Sequence, residues 1–298
     1  MFIFQHSLDF VDEPILPHFV SDNNAKTIKI FASHSLFFAS ASYCTVWMKL
    51  SSRDVRFCAY NPMDTLGADD DLILEVKDVV RLYWQASRRE ISYIKESDYT
   101  PERLFYWIVH TFLPIVLQIN HTYHILHVAS VVVDTKPLLF SASSYGGKST
   151  LIDYFIHRGA TLLSDDSLGI EQIGENYYAI PAYPYHRPFR DIETLGYFVD
   201  NFAKKPIVTK VLYSLVQEKP SGDITIKKLY GVEKFQALKK TIFVNFQFLK
   251  KRHFLFLTQL AQDIDVYSIT VPWDASRLNE VYDAIVKHSK QVMSVEED

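Results

Sequence analysis

The sequence predicts a mixed α/β protein, with a small strand-rich portion first and a larger portion in which strands and helices alternate. Up to about residue 97, short apolar runs at 27–31, 45–50, 55–59 and 91–94 are separated by polar turns, the mark of short strands. Beyond residue 120 the order becomes strand, glycine-bearing loop, helix, strand, which is how α/β domains that hold phosphates are built. The chain has 298 residues, 48% hydrophobic and 22% charged, enough for a substantial core and for a large domain beside a small one.

In chain order, the first element in question is 71–82, whose apolar spacing allows one helix. Asp69, Asp70 and Asp71 resemble a metal-binding triplet, but they read better as a helix start, where carboxylates meet the positive end of the dipole. Thr100-Pro101-Glu102 is a second helix start: hydroxyl cap, proline at the first helical position, acid in the first turn. That helix should run to about Asn120 with a disturbance at Pro114, and its start sets the division into residues 1–97 and 98–298. Its window LFYWIVHTFLPIVLQI (104–119) is shorter than the roughly 20 residues that span a bilayer and includes His110, Pro114 and Gln118. It reads as a buried helix, and no membrane partner is expected.

Two strands, 127–133 and 137–140, follow around the turn 134–136. A helix is predicted from Lys148 to about His157 and closed by Gly159, then a strand at 161–166 ending in Asp165-Asp166. Segments 168–173 and 177–180 form a hairpin, 181–190 is rich in proline and aromatics, 233–263 is mostly helical, and 266–271 is a late strand. Asp274 should cap a final helix to about Lys290. The basic run Lys250-Lys-Arg-His253 reads as a solvated helix end whose cations complement the dipole, with docking of an acidic peptide as the alternative.

Charge and cysteines narrow the partners. Thirty-one Lys and Arg against 35 Asp and Glu give a net charge of −4, so no global positive field draws nucleic acid. The start MFIFQHSLDF lacks the pattern of a signal peptide. Cys44 and Cys58 follow neither a metal-ligand spacing nor a dense disulfide framework, which favours a reducing cytoplasm, although two cysteines can pair.

The chemistry concentrates in SASSYGGKST (141–150). Ala142, Gly147, Lys148 and Ser149 satisfy the relaxed phosphate-loop pattern, and the loop lies between a strand and a helix. In such a loop successive N–H groups and the helix N-terminus converge on phosphate, and small residues let the backbone approach. Ser144 to Thr150 would form the nucleotide contact: Ser144, Tyr145, Gly146, Gly147, Lys148 on the β and γ phosphates, Ser149 on Mg²⁺, and Thr150. Ala142 is tolerable if its φ stays negative, and the ring of Tyr145 must point outward or over a bound ligand. Asp165 lies 17 residues after Lys148; of Asp165 and Asp166, one carboxylate suits Mg²⁺ and the other a hydroxyl proton.

The stretch from His127 to Ile170, HVASVVVDTKPLLFSASSYGGKSTLIDYFIHRGATLLSDDSLGI, resembles the catalytic core of the HPr serine kinase/phosphorylase family, more closely its relatives encoded in bacterial peptide-modification gene clusters. The likeness continues more weakly through PAYPYHRPFRD (181–191) and VYSITVPWDASRLNEVYD (266–283). It implies a P-loop catalytic domain of the HPr-kinase/PEP-carboxykinase type and transfer of the γ-phosphoryl of ATP, with Mg²⁺, to a serine of a peptide or protein. In that pattern Lys148 binds phosphates, Ser149 the metal, Asp165 accepts the proton and Asp166 attends the metal, the last two roles being exchangeable. His127 matches a histidine near the transferred phosphate. Arg187 falls on the relatives' arginine, and with Arg190 it would neutralise phosphate or grip an acidic substrate. The glycine- and arginine-rich stretch tied to the reverse reaction is not evident, and the N-terminal part does not match that of true HPr kinases, so HPr itself is not the expected substrate. Family enzymes are often oligomers, which leaves self-association open. A small hydroxylated acceptor and a nucleotide sensor without turnover are the rival readings.

Overall fold

Alternation of buried and exposed side chains organises the first part of the chain into strands: Leu72, Leu74 and Val76, then Val80, Leu82 and Trp84, all turn inward. The computed structural model describes residues 2–13, 25–33, 41–50, 52–143, 145–188 and 193–294. Two units emerge, one of Met1–Ile125, Arg190–Gly196 and Val244–Arg252, the other of Leu126–Phe189, Tyr197–Phe243 and His253–Asp298.

Among the described residues the first unit carries a sheet whose strands follow the order Phe2–Ile3, His6–Phe10, Lys26–Ala32, Glu90–Lys95, Val80–Gln85, Leu72–Val76, Arg53–Ala59 and Tyr43–Cys44, with Met48–Leu50 also on Arg53–Ala59. The helix expected at 71–82 is instead the antiparallel hairpin Leu72–Val76 and Val80–Gln85. The apolar spacing there fits both periods, and the β-branched Ile73, Val76, Val79 and Val80 with a left-handed Asp78 (φ 65°) decide for the hairpin. The aspartates ahead of it form turns: Asp70 accepts from Gly67 N and Asn61, and Asp71 from Ala86 N and the Tyr83 hydroxyl.

Cys44 and Cys58 are opposite each other on neighbouring strands and are joined by a disulfide, so the reduced pair expected for a cytoplasmic chain is not what the structure holds.

The Thr100 hydroxyl caps the helical run as expected, accepting from Arg103 N at 3.3 Å. The run is helical over Pro101–Tyr106 and Leu113–Ile119, with a wide π turn over Trp107–Phe112 between them. Pro114 sits one turn on, lacks an N–H and crowds the carbonyl of His110, which accounts for the widened turn. The run is buried, and among the described residues no helix is long and apolar enough to cross a membrane. The basic run 250–253 opens the helix Lys250–Asp263 rather than closing one. Arg252 donates to the carbonyl of Gln118, so its cation meets the C-terminal end of a different helix.

In the second unit six strands form one sheet in the order Thr161–Ser164, Ala129–Val133, Lys136–Ala142, Val211–Glu218, Asp265–Pro272 and Ile226–Lys228. Lys136–Ala142, Val211–Glu218 and Asp265–Pro272 are parallel, so their carboxyl ends share one edge. Alternation splits the core between two faces. Leu138, Phe140, Tyr213 and Ile269 pack with Leu151, Ile152 and Phe155 of the helix Lys148–His157 and with Val281 and Ile285 of the helix Leu278–Ser294. Leu139, Leu212 and Val266 face Leu238 and Leu257 of the helices Gly231–Lys239 and Lys250–Asp263. Covering both faces explains why these strands read as continuous apolar runs. The expected hairpin is present as Leu168–Ile173 and Asn176–Ile180, and Asp274 caps the turn Ala275–Arg277 that leads into the last helix.

Candidate active site

The site grows from the edge where the parallel strands end. Ala142 closes the strand Lys136–Ala142 with negative φ, so its methyl group is accommodated. The chain then turns sharply, Gly146 N donating to Ser143 O at 2.9 Å. A Cβ on Gly146 would lie 2.8 Å from Ser143 O and 2.9 Å from the Ala142 Cβ, so only glycine fits. Gly147 is left-handed (φ 81°) and caps the helix that opens with Lys148. Tyr145 is left-handed too (φ 61°) and 75% exposed, its side chain turned outward as the sequence required. Thr150 is exposed on the first turn, Ser149 is half-buried, and Ser144 lies outside the described residues.

Lys148 is buried, and its Nζ lies 3.1 Å from both His127 Nε2 and Asp166 Oδ1. His127 Nδ1 is 3.4 Å from the same Asp166 oxygen, which closes a three-membered cluster. An ammonium can only donate, so Nε2 is the ring nitrogen that accepts from Lys148, and Nδ1 faces Asp166 without a hydrogen bond. The backbone of His127 is fixed by donation to Thr241 O at 2.6 Å. The turn that bears Asp166 is tied by Ser164 Oγ, which donates to Ser167 O at 2.7 Å.

Asp165 points elsewhere. Its Oδ1 accepts from His186 Nδ1 at 2.8 Å and its Oδ2 from Arg187 N at 3.0 Å. Arg187 thus touches Asp165 through its backbone, and Arg190 is outside the described residues. Of the residues singled out in the sequence, His127, Lys148 and Asp166 come together, and Asp165 joins a second group.

That second group contains side chains that sequence reasoning passed over. His186 is fully buried; its Nε2 lies 3.6 Å from Asp153 Oδ1, beyond hydrogen-bond reach, and Asp153 accepts from the Tyr197 hydroxyl at 2.7 Å. Burial, and then the Asp153 carboxylate, push the Tyr197 phenol well above its usual range, which keeps it a donor. The signal for His186 was its place in PAYPYHRPF, where a histidine next to Arg187 was available to be weighed. Trp273 follows the last parallel strand, donates its backbone N–H to Glu218 O at 3.0 Å and is 52% exposed. Its Cζ3 lies 3.5 Å from where a Gly147 Cβ would be, so the indole abuts the loop.

The donors suit a nucleotide phosphate and a small hard cation. Gly146 lets the loop turn tightly where a Cβ would strike Ser143 O and the Ala142 methyl group, left-handed Gly147 leads into the helix, Lys148 supplies positive charge, and Ser149 and Asp166 offer oxygens. Among the described residues no group of three or more His, Cys, Asp and Glu is placed to hold an ion, but Mg²⁺ needs only one or two protein oxygens when phosphates and water complete its shell.

No family model matches the chain, and no curated protein matches it. Among solved structures it is similar to the HPr(Ser) kinase/phosphatase from Coxiella burnetii, with 18% identity and a TM-score of 0.37 over 57% of this chain and 98% of that one. A likeness of that size decides neither fold nor activity.

Proposed function

We propose that the protein is a kinase that transfers the γ-phosphoryl group of ATP to a hydroxyl, with a serine of a peptide or protein as the acceptor that the sequence resemblance implies. The observation that carries the reading is Lys148 on the first turn of a helix capped by left-handed Gly147, its ammonium held between His127 and Asp166. Lysine at that place reaches the β and γ phosphates while the N–H groups of the first turn face them. The half-exposed indole of Trp273 offers a flat apolar face for the base.

Transfer demands little covalent chemistry of the protein and much positioning. Lys148 neutralises phosphate charge. As the acceptor oxygen bonds to phosphorus and the bond to the ADP oxygen breaks, the hydroxyl proton passes to Asp166. Both oxygens of Asp165 are engaged by His186 and Arg187, which supports Asp166 over Asp165 for that duty. Ser149 is the side chain that would hold Mg²⁺, with phosphate and water oxygens completing the shell, and the ion would screen the charge of the phosphates.

The test is label transfer from γ-labelled ATP with Mg²⁺ to the small-protein fraction and, separately, to the metabolites of the host. Lys148→Met and Asp166→Asn should each lower transfer at least about a hundredfold, the scale of losing a preorganised charge at the reacting group. Full transfer by both variants would overturn the assignment. Label in small molecules alone would move the acceptor from protein to metabolite, and tight ATP binding without turnover on any acceptor would identify a nucleotide sensor.

A further inference from the structure

We propose that His186 is a positioning residue that braces the helix carrying Lys148 against the turn carrying Asp166; the proposal rests on the kinase reading for its consequence but not for its geometry. His186 lies at the end of the pair Tyr185–His186, bonded antiparallel to Tyr197–Phe198, and no part of its side chain reaches solvent. One ring nitrogen meets Asp165 on the strand-end turn, at 2.8 Å. The other faces Asp153 at 3.6 Å, and Asp153 is five residues after Lys148 on the same helix.

The imidazole therefore stands between the two elements whose spacing sets the Lys148 to Asp166 distance. Each end of the brace is supported in turn. Arg187 N–H holds the second oxygen of Asp165, and the Tyr197 hydroxyl holds Asp153 Oδ1. Because a carboxylate without a proton can only accept, Nδ1 must carry the hydrogen toward Asp165. With both Asp165 oxygens so occupied, the adjacent residue is the one whose carboxylate turns to Lys148. Full burial keeps His186 from touching substrate, so its influence passes through what packs on it: Asp165 by a hydrogen bond, Asp153 by a 3.6 Å contact without one, and the Tyr197 ring edge-on at 5.5 Å.

The test has two arms. In nitrogen NMR of the full-length protein, His186 Nδ1 should carry a slowly exchanging proton, and that signal should vanish in Asp165→Ala. A bare Nδ1 in the wild type, or a signal indifferent to Asp165→Ala, would overturn the brace whether or not the protein turns over ATP. In kinetics, His186→Asn keeps a side-chain N–H near the position of Nδ1 and should retain kcat within about threefold, whereas His186→Leu has no donor. His186→Leu should lose at least about tenfold in kcat with the KM for ATP within about twofold, since misplacement of about an ångström at a reacting group costs up to about a hundredfold. Equal impairment of the two variants, or none in either, counts against it. Should His186→Leu fail to fold, the resonance arm and His186→Asn still decide. An inactive wild type with the Asp165-dependent proton present would overturn the kinase reading and leave the brace standing.

Discussion

Replacing Glu193 by alanine should remove a cluster of interactions from the first unit at a cost that its geometry allows to be estimated. The Glu193 carboxylate is buried, accepts from Arg53 Nε and Nη2 at 3.2 and 3.0 Å and from Trp107 Nε1 at 2.7 Å, and is ion-paired with Arg103 Nε at 3.1 Å. Removing one member of a buried pair costs about 3–5 kcal/mol when the survivor stays buried. Here the survivors differ. Arg53 keeps Asp98 at 3.0 Å and both guanidiniums retain some solvent, but the Trp107 indole is fully enclosed and loses its acceptor. The lower end, about 3 kcal/mol, is therefore expected, much of it the orphaned indole. Glu193 is itself left-handed (φ 57°), and alanine shares that backbone cost, so the change isolates the side chain. Three of the four tryptophans, Trp47, Trp84 and Trp107, lie in this unit, so tryptophan fluorescence follows its unfolding selectively. The midpoint should fall by roughly 6–12 °C, at about 2–4 °C per kcal/mol for a unit of this size. Glu193→Gln keeps the volume and an acceptor for Trp107 and should lose about half as much. A loss under about 1 kcal/mol in Glu193→Ala, or equal losses in the two variants, would refute the reasoning.

Further expectations concern the loop, the indole and acid. Gly146→Ala should destabilise the second unit and abolish ATP binding, because its Cβ meets the Ser143 carbonyl and the Ala142 methyl group; calorimetry with wild-type affinity would contradict this. Trp273→Ala should weaken ATP by about tenfold and leave tripolyphosphate nearly unchanged, since base stacking is worth about 1–3 kcal/mol; equal losses for both ligands would exclude a base contact. Burial holds the His6 imidazole below its ordinary 6.5, helped by Arg89 and Lys26. The unfolded chain therefore takes up the proton first, and stability is full above pH 6.5 and declines as pH falls through that value toward the folded pKa. His121 and His288 are held low as well, so His6→Asn should flatten the acid limb of the urea midpoint in part, and an unchanged limb would assign it to the other two.

How much was legible in the sequence follows from how local each signal is. The hairpin before the loop, the helix from Lys148 and the capped helix after Thr100 depend on neighbours a few residues away, and they stand where the pattern put them. At 71–82 two periods overlapped, and the decision lay with strands that pair from elsewhere in the chain. Lys148 and Asp166 could be named because the loop pattern and the paired acids are local signals, whereas His127 came only from the family resemblance. The partner of Asp165 could not be named, since His186 and Asp153 are 21 residues after it and 12 before it and meet only through packing. The disulfide could be allowed but not assigned for the same reason: its cysteines become opposite only when the edge strand pairs.

That cross-link has a consequence for the handling of the protein. It closes a 14-residue separation, and a loop of that size implies about 3 kcal/mol of stabilisation through the unfolded chain. The segment it holds down bears Val46, Trp47, Met48 and Leu50, all exposed, beside short outer strands. An apolar strand at the rim of a sheet is a template for another chain, and a fixed, twisted neighbour is one way to blunt it. A reducing agent in the buffer would therefore show itself as self-association before it showed as lost activity, with the site in the second unit still intact within the aggregating molecules.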